Sequence, residues 1–190
     1  MPKYRDLNGD GIIDDNDRTI IGNGLPVHTG GFTNNFTYGD FDLSIFFQWS
    51  YGNDVLNANR LFFESSWNKA RELNQFASYA DRWTEDNPYS DIPRATTSSS
   101  NRVFSSRVIE DGSFLRLKTL TLGYTVPKKL LTRFRIDNLR VYFAAQNLWT
   151  LTNYSGYDPE VSIRNSALTP GLDFSILDRK SGSAGMPTPI

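Results

Sequence analysis

The sequence contains no cysteine. That excludes disulfides, thiolate nucleophiles and cysteine-ligated metals. Histidine is nearly absent: His28 is the one copy in 190 residues, so a zinc site or a histidine-based triad lacks its material. The turn-rich stretch around it, Gly22 to Gly31, marks His28 as a solvated loop residue. An excess of charge of one sign is lacking too. Lys and Arg number 20, Asp and Glu 21, for a net charge of −1. No basic face of the kind that binds nucleic acid is expected. No apolar run approaches the ~20 residues of a membrane-spanning helix. A β-strand crosses with about 9–11 residues and one apolar face, so this last absence leaves a membrane open.

What is present is aromatic alternation. Aromatic residues make up 14% of the chain. The region 31–52 reads as a β-hairpin. Phe32, Asn34, Phe36 and Tyr38 alternate with Thr33, Asn35 and Thr37, and a tight turn falls at Gly39-Asp40. The return strand puts Phe41, Leu43, Ile45, Phe47, Trp49 and Tyr51 on one face, and Asp42, Ser44, Phe46, Gln48 and Ser50 on the other. The stretch 113–126 is a third strand with a conflict of parity. Leu115 and Leu117 share one face; Leu120, Leu122 and Tyr124 share the other. Either a β-bulge near Lys118–Thr119 realigns them, or both faces are partly apolar. A basic connector, "KKLLTRFRIDN", leads to a fourth strand, 138–151. There Leu139, Val141, Phe143 and Ala145 oppose Arg140, Tyr142, Ala144 and Gln146.

Residues 54–106 lack strand alternation and look helical in parts, with Leu61, Phe62, Trp67, Phe76 and Tyr79 as candidate buried positions. Loop chemistry follows, and a second long loop covers 152–176. Residues 177–190 are rich in Ser, Gly, Ala and Pro and carry no strand pattern.

The fold class expected is all-β. In an antiparallel chain the short connections, at 39–40 and 126–138, share one side, and the long ones share the other. Outer-membrane barrels have this asymmetry of short periplasmic turns and long external loops. Trp49, Tyr51 and Trp149 then fall near one rim, and Tyr38, Phe41 and Tyr124 near the other, as in an aromatic girdle. A soluble, calcium-dependent β-sandwich that binds glycan is the alternative, since one packed and one wet face give the same alternation.

The stretch "DLNGDGIIDDND", 6–17, has the spacing of a calcium loop. Asp6, Asn8 and Asp10 take the first, third and fifth positions; Gly11 takes the sharp turn. Ile12 offers its carbonyl, and Asp14 and Asp17 complete the set. Hard oxygen donors suit Ca²⁺ better than Zn²⁺. The alternative is an Asx-rich turn that needs no ion, but four carboxylates within twelve ligand-spaced residues would repel one another without a cation, so Ca²⁺ is the expected, structural ligand. With no second copy of the loop and no flanking helices, it reads as a structural clip on an external loop.

Six runs carry a family resemblance: "YRDLNGDGIIDDNDRTIIGN", "FDLSIFFQWSYGNDVLN", "DRWTEDNPYSDIPRAT", "SSRVIEDGSFLRLKTLTLGYTVPKKLL", "LRVYFAAQNLWTLTNYSGYDPE" and "NSALTPGLDFS". In this order, over roughly residues 3–175, the chain resembles the C-terminal part of SusC/RagA-family TonB-dependent outer-membrane transporters. The resemblance implies the last strands of a transmembrane barrel of about 22 strands, set in outer-membrane lipid. It implies a plug domain, energy from TonB, a SusD-like surface lipoprotein as lid, and oligosaccharide or peptide as cargo. The chain departs from the family at both ends. Met1-Pro2-Lys3 opens with no signal peptide, plug or TonB box, and "LDRKSGSAGMPTPI" lacks the closing strand with its aromatic end. The expectation is a fragment that does not transport alone.

No enzyme is expected. The adjacent acids Glu110–Asp111 and Asp158–Glu160 read as solvated loop residues, with no nucleophile–base pair beside them. If cargo touches this segment, Phe62, Trp67, Trp83, Tyr154 and Tyr157 are the candidate stacking surfaces, each with loop packing as the plainer role. Arg140, Tyr142 and Gln146 are expected to face the lumen.

Overall fold

The structure, a computed structural model, describes residues 4–66, 74–96, 104–132, 136–161 and 170–174. The chain divides into two compact units. One, 26–53 with 111–154, is a long antiparallel sheet. The other, 1–25 with 54–110 and 155–190, gathers the connecting segments.

The sheet has strands β1 (His28–Tyr38), β2 (Phe41–Tyr51), β5 (Phe114–Thr125) and β6 (Arg140–Thr152), in the order β1-β2-β5-β6. β1 and β2 pair along their whole length, from Tyr38 opposite Phe41 to His28 opposite Tyr51. The expected turn at Gly39-Asp40 is there. Gly39 has φ +59, and Asp40 stays out of the positive-φ region. That matches a type II′ turn, whose first corner favours glycine. The hairpin begins three residues earlier than the sequence pattern indicates. His28 is therefore a strand residue: its ring stacks on Tyr51 at 5.1 Å, and its Nδ1 accepts the Trp49 indole N–H at 3.2 Å. The loop expectation for His28 fails because Gly30 and Gly31 hide the alternation.

The parity conflict in β5 resolves as a bulge. Phe46 pairs with Thr119 and Phe47 with Leu117, so Lys118 is the extra residue against β2. Against β6, Leu117 pairs with Trp149 and Thr119 with Gln146, which leaves Asn147 and Leu148 opposite Lys118. Asn147 takes up the distortion with φ +51, as the one non-glycine residue of positive φ among those described. Leu115, Leu117, Leu120, Leu122 and Tyr124 consequently all pair with the apolar residues of β2, on one face.

The other unit holds three elements that alternation does not reveal. β3 (Asp54–Asn57), β4 (Ile109–Asp111) and β7 (Leu172–Asp173) form a small sheet in the order β4-β3-β7. β3 and β7 run parallel, with Leu56 opposite Leu172 and Asn57 opposite Asp173. A short helix, α1 (Asn59–Phe63), and a 3₁₀ turn at Ala77–Asp81 follow β3. Val55, Ala58, Leu61, Tyr79, Ile92 and Val108 are buried here. Of the expected buried positions, Leu61 and Tyr79 hold; Trp67 lies outside the described residues. Phe76 is partly exposed, its ring 5.1 Å from that of Phe63.

Candidate functional site: a two-faced sheet and an acidic loop

The sheet has one apolar and one polar face, and cross-strand register fixes both. Rows such as Phe36–Leu43–Leu122–Phe143 and Tyr38–Phe41–Tyr124–Val141 run across all four strands. These side chains remain open: Phe36 is 55% exposed, Phe143 62% and Leu151 59%. A water-soluble antiparallel sheet packs its apolar side on a second layer; among the described residues these side chains stay exposed.

The opposite face is polar. Asp42, Gly123 and Tyr142 form one row, and Thr125 and Arg140 the next. Arg140 makes a two-pronged contact with Asp42, Nε to Oδ1 at 3.2 Å and Nη2 to Oδ2 at 2.6 Å. This pair lies over Gly123, where any Cβ would collide with the Asp42 carboxylate. The Arg140 guanidinium also sits 5.8 Å from the Tyr142 ring centre. Gln146 lies on the same face, opposite Thr119. Towards the other end Arg116 is 5% exposed, with its Nε donating to Thr150 Oγ1 at 3.0 Å and its guanidinium over the Phe114 ring. Sequence reasoning placed Arg140, Tyr142 and Gln146 together on this face. It missed Asp42 as their partner and Arg116 as a buried cation.

The acidic loop curls on itself. Asp6 accepts the backbone N–H of Gly9 at 2.6 Å and of Gly11 at 2.8 Å. Asn8 Oδ1 accepts from Asp10 N–H, and Asp10 Oδ1 from Ile12 N–H. Asp14 caps a 3₁₀ turn, Asp15–Asp17, and Asp17 reaches back to the N–H groups of Leu7 at 2.8 Å and Asp14 at 2.9 Å. Those two amide bonds hold the Asp17 carboxyl below its ordinary pKa. Among the described residues no three His, Cys, Asp or Glu side chains converge as a metal site. The loop's side-chain oxygens accept backbone N–H groups in the manner of a chain of Asx turns. Its donors are all hard oxygens, the chemical class that Ca²⁺ takes.

The loop unit contains a polar network that the sequence did not announce. Glu64, 4% exposed, accepts from Arg107 Nη1 at 2.5 Å, Arg60 Nε at 3.2 Å and Ser78 Oγ at 2.9 Å. Glu110 accepts from Arg60 Nη1, Asn57 Nδ2, Ser155 N–H and Ser155 Oγ. Burial acts to raise the Glu110 pKa, but the two Ser155 bonds, the Asn57 amide and the Arg60 charge outweigh it and hold it below 4.5. The expectation of a merely solvated Glu110 thus fails; it is tied to four donors. Asn57 Oδ1 is buried with no partner among the described residues, while its amide nitrogen serves Glu110 and Ser155, which fixes its orientation.

The candidate stacking residues differ in exposure. The Phe62 ring packs 4.9 Å from that of Phe174. Trp83 is half-buried, with its backbone N–H bound to Ile92 O. Tyr154 is 6% exposed, so its ring is covered rather than presented. Tyr157 is 95% exposed, and Trp67 lies outside the described residues.

No family model matches the sequence. Individual proteins do. The chain is 37% identical over 176 residues to TonB-dependent receptor P3 of Formosa agariphila, covering 90% of the chain and 17% of that protein. It is 40% identical to TonB-dependent receptor P26 of the same organism, over 84% of the chain and 16% of the receptor. With TonB-dependent receptor SusC of Bacteroides thetaiotaomicron it shares 28% over 83% of the chain and 15% of the receptor. Among solved structures, the RagAB peptide transporter superposes with a TM-score of 0.69 at 30% identity, over 85% of this chain and 17% of that one. The RagAB peptide importer in its open-open state gives 0.62 at 31% identity, over 78% and 15%.

The chain belongs to the SusC/RagA family of TonB-dependent outer-membrane proteins. It spans about a sixth of the length of these relatives. The relatives are named as TonB-dependent receptors, and the solved structures as a peptide importer or transporter. Within the family's mostly-sheet fold, the residues described here supply one two-faced sheet and one polar loop unit.

Proposed function

We propose that the four-stranded sheet is a section of transmembrane barrel wall in an outer-membrane nutrient importer. The apolar rows face lipid, and Arg140, Tyr142 and Gln146 line the lumen with Asp42. The observation that carries this reading is the apolar face, which is continuous across four strands and uncovered. Its height supports it. From Phe41 to Tyr51 β2 makes ten residue steps. At ~3.4 Å per residue and a tilt of about 40° that is roughly 26 Å, close to the ~25 Å apolar band of outer-membrane barrels. A soluble sandwich would instead pack this face against a second layer.

The wider reading follows the relatives. The intact protein closes a barrel of about 22 strands, takes energy from TonB, works with a SusD-like surface lipoprotein and imports oligosaccharide or peptide. This part does not transport alone, and no reaction is catalysed. Tyr157 is the aromatic best placed to meet cargo, by its exposure. The acidic loop serves as a calcium clip: Asp6, Asn8, Asp10, the Ile12 carbonyl, Asp14 and Asp17 supply the oxygens. Isothermal titration with Ca²⁺ tests this, with EDTA reversal; no heat and no protection of the loop from proteolysis would reduce it to Asx turns.

The absence of cysteine makes the wall reading directly testable. Single cysteines at Leu122 and Thr121 put a thiol on opposite faces of one strand. After reconstitution into lipid vesicles, a water-soluble maleimide is expected to label Thr121→Cys and spare Leu122→Cys. Equal labelling would remove the lipid-facing assignment.

A further inference from the structure

The connector between β5 and β6 has a chemistry that a barrel wall does not require. The Val126 N–H closes the last rung on Leu139 O at 2.8 Å. Pro127 then leads into a one-turn helix, α2 (Lys128–Leu131). This turn is held, not dangling. Leu131 is buried, Leu130 N–H bonds Pro127 O, Ile136 N–H bonds Leu131 O, and Thr132 Oγ1 donates to Lys129 O at 3.1 Å. Yet Lys128, Lys129 and Leu130 are exposed. Neither lysine has a carboxylate partner among the described residues. From Pro127 to Asn138 the sequence has four basic residues, Lys128, Lys129, Arg133 and Arg135, and one acid, Asp137. The same end of the sheet adds Asp40, while Asp42 is neutralised by Arg140.

Just before this turn the apolar face runs through the row Tyr38–Phe41–Tyr124–Val141 and ends at Val126 and Leu139. The order along the strand is therefore apolar face, aromatic row, the pair Val126 and Leu139, then a fixed turn with two unpaired cations and a bare leucine. We propose that this turn binds the phosphates of anionic phospholipid headgroups, with Lys128 and Lys129 as the cations and Leu130 seated against the acyl boundary. Aromatic rings suit the level where lipid meets water. An ammonium is a compact point charge that pairs with phosphate without fixed geometry, and it carries its own flexible stem to reach it. The proposal rests on the reading of the apolar face as lipid-facing.

The test is flotation of the full chain with vesicles of phosphatidylcholine alone, and with vesicles that also contain phosphatidylglycerol. Wild type is expected to bind the first through its apolar face and the second more tightly. Each lysine near an anionic surface contributes about five-fold. Lys128→Gln with Lys129→Gln should lose roughly 25-fold of the phosphatidylglycerol increment and leave phosphatidylcholine binding unchanged. Lys128→Arg with Lys129→Arg should keep the increment, and salt should erase it. If the glutamine variant keeps the full increment, or if free phosphate competes beyond the screening given by chloride, the headgroup proposal is overturned while the wall reading stands. If wild type ignores phosphatidylcholine vesicles, it is the wall reading that fails.

Discussion

Gly123 shows how one missing side chain organises a polar face. The Asp42–Arg140 pair occupies the space where a Cβ would stand. Gly123→Ala is expected to push the pair apart and cost about 1–3 kcal/mol through overpacking. Most of that cost should vanish in an Asp42→Ala background, because the clash partner is gone. A double-mutant cycle on urea midpoints in detergent micelles measures the coupling; a fully additive result would mean the glycine is needed for its backbone instead. Glu110 gives a second test at this scale, through pH. Its folded pKa lies below the ordinary 4.5. Its contribution to stability is therefore present in full above the ordinary value and is lost as pH falls through the folded one. Amide exchange at Ser155 should quicken over that acid window. Glu110→Gln should flatten the dependence; an unchanged profile would assign it to another carboxylate.

At the scale of elements, the bulge joins two facts, the skipped Lys118 and the left-handed Asn147. A β-branched residue resists that backbone, so Asn147→Val is expected to destabilise by about 1–3 kcal/mol. Asn147→Gly should be tolerated, since glycine accepts positive φ freely. A regular β6 in the variant, with no loss of stability, would show that the bulge is dispensable. This feature was half legible in the sequence: five apolar residues of mixed parity in β5 allow a slip or two partly apolar faces, and the register decides for the slip. The two long hairpin strands were legible for the same reason, a sustained period of two. β3, β4 and β7 were not: two to four residues hold no period to read. They exist through bonds to distant chain, such as Leu56 N–H to Gly171 O at 2.7 Å and Asp54 N–H to Asn23 O at 2.8 Å. The network of Arg60, Glu64, Arg107 and Glu110 escaped likewise, because its partners stand 43 and 50 residues apart. Sequence spacing could mark Glu110 as an acid on a loop, but not bring Ser155 to it.

For the whole molecule, the outer edges of the sheet matter most. Among the described residues β1 pairs with β2 alone and β6 with β5 alone. Each outer edge is long, 11 residues in β1 and 13 in β6. About half of the backbone amides and carbonyls on each points outward with no ladder partner. In the language of polymer chemistry this sheet is a monomer of functionality two. Such a monomer has two fates: ring closure, if further strands complete the circle, or step growth into open chains. Away from lipid and completing strands, dilution should slow the growth of scattering particles steeply, since step growth is bimolecular. A proline in the middle of β1, Asn35→Pro, acts as a chain stopper on one end. It should limit the product to short assemblies in analytical ultracentrifugation, where the parent chain grows without bound.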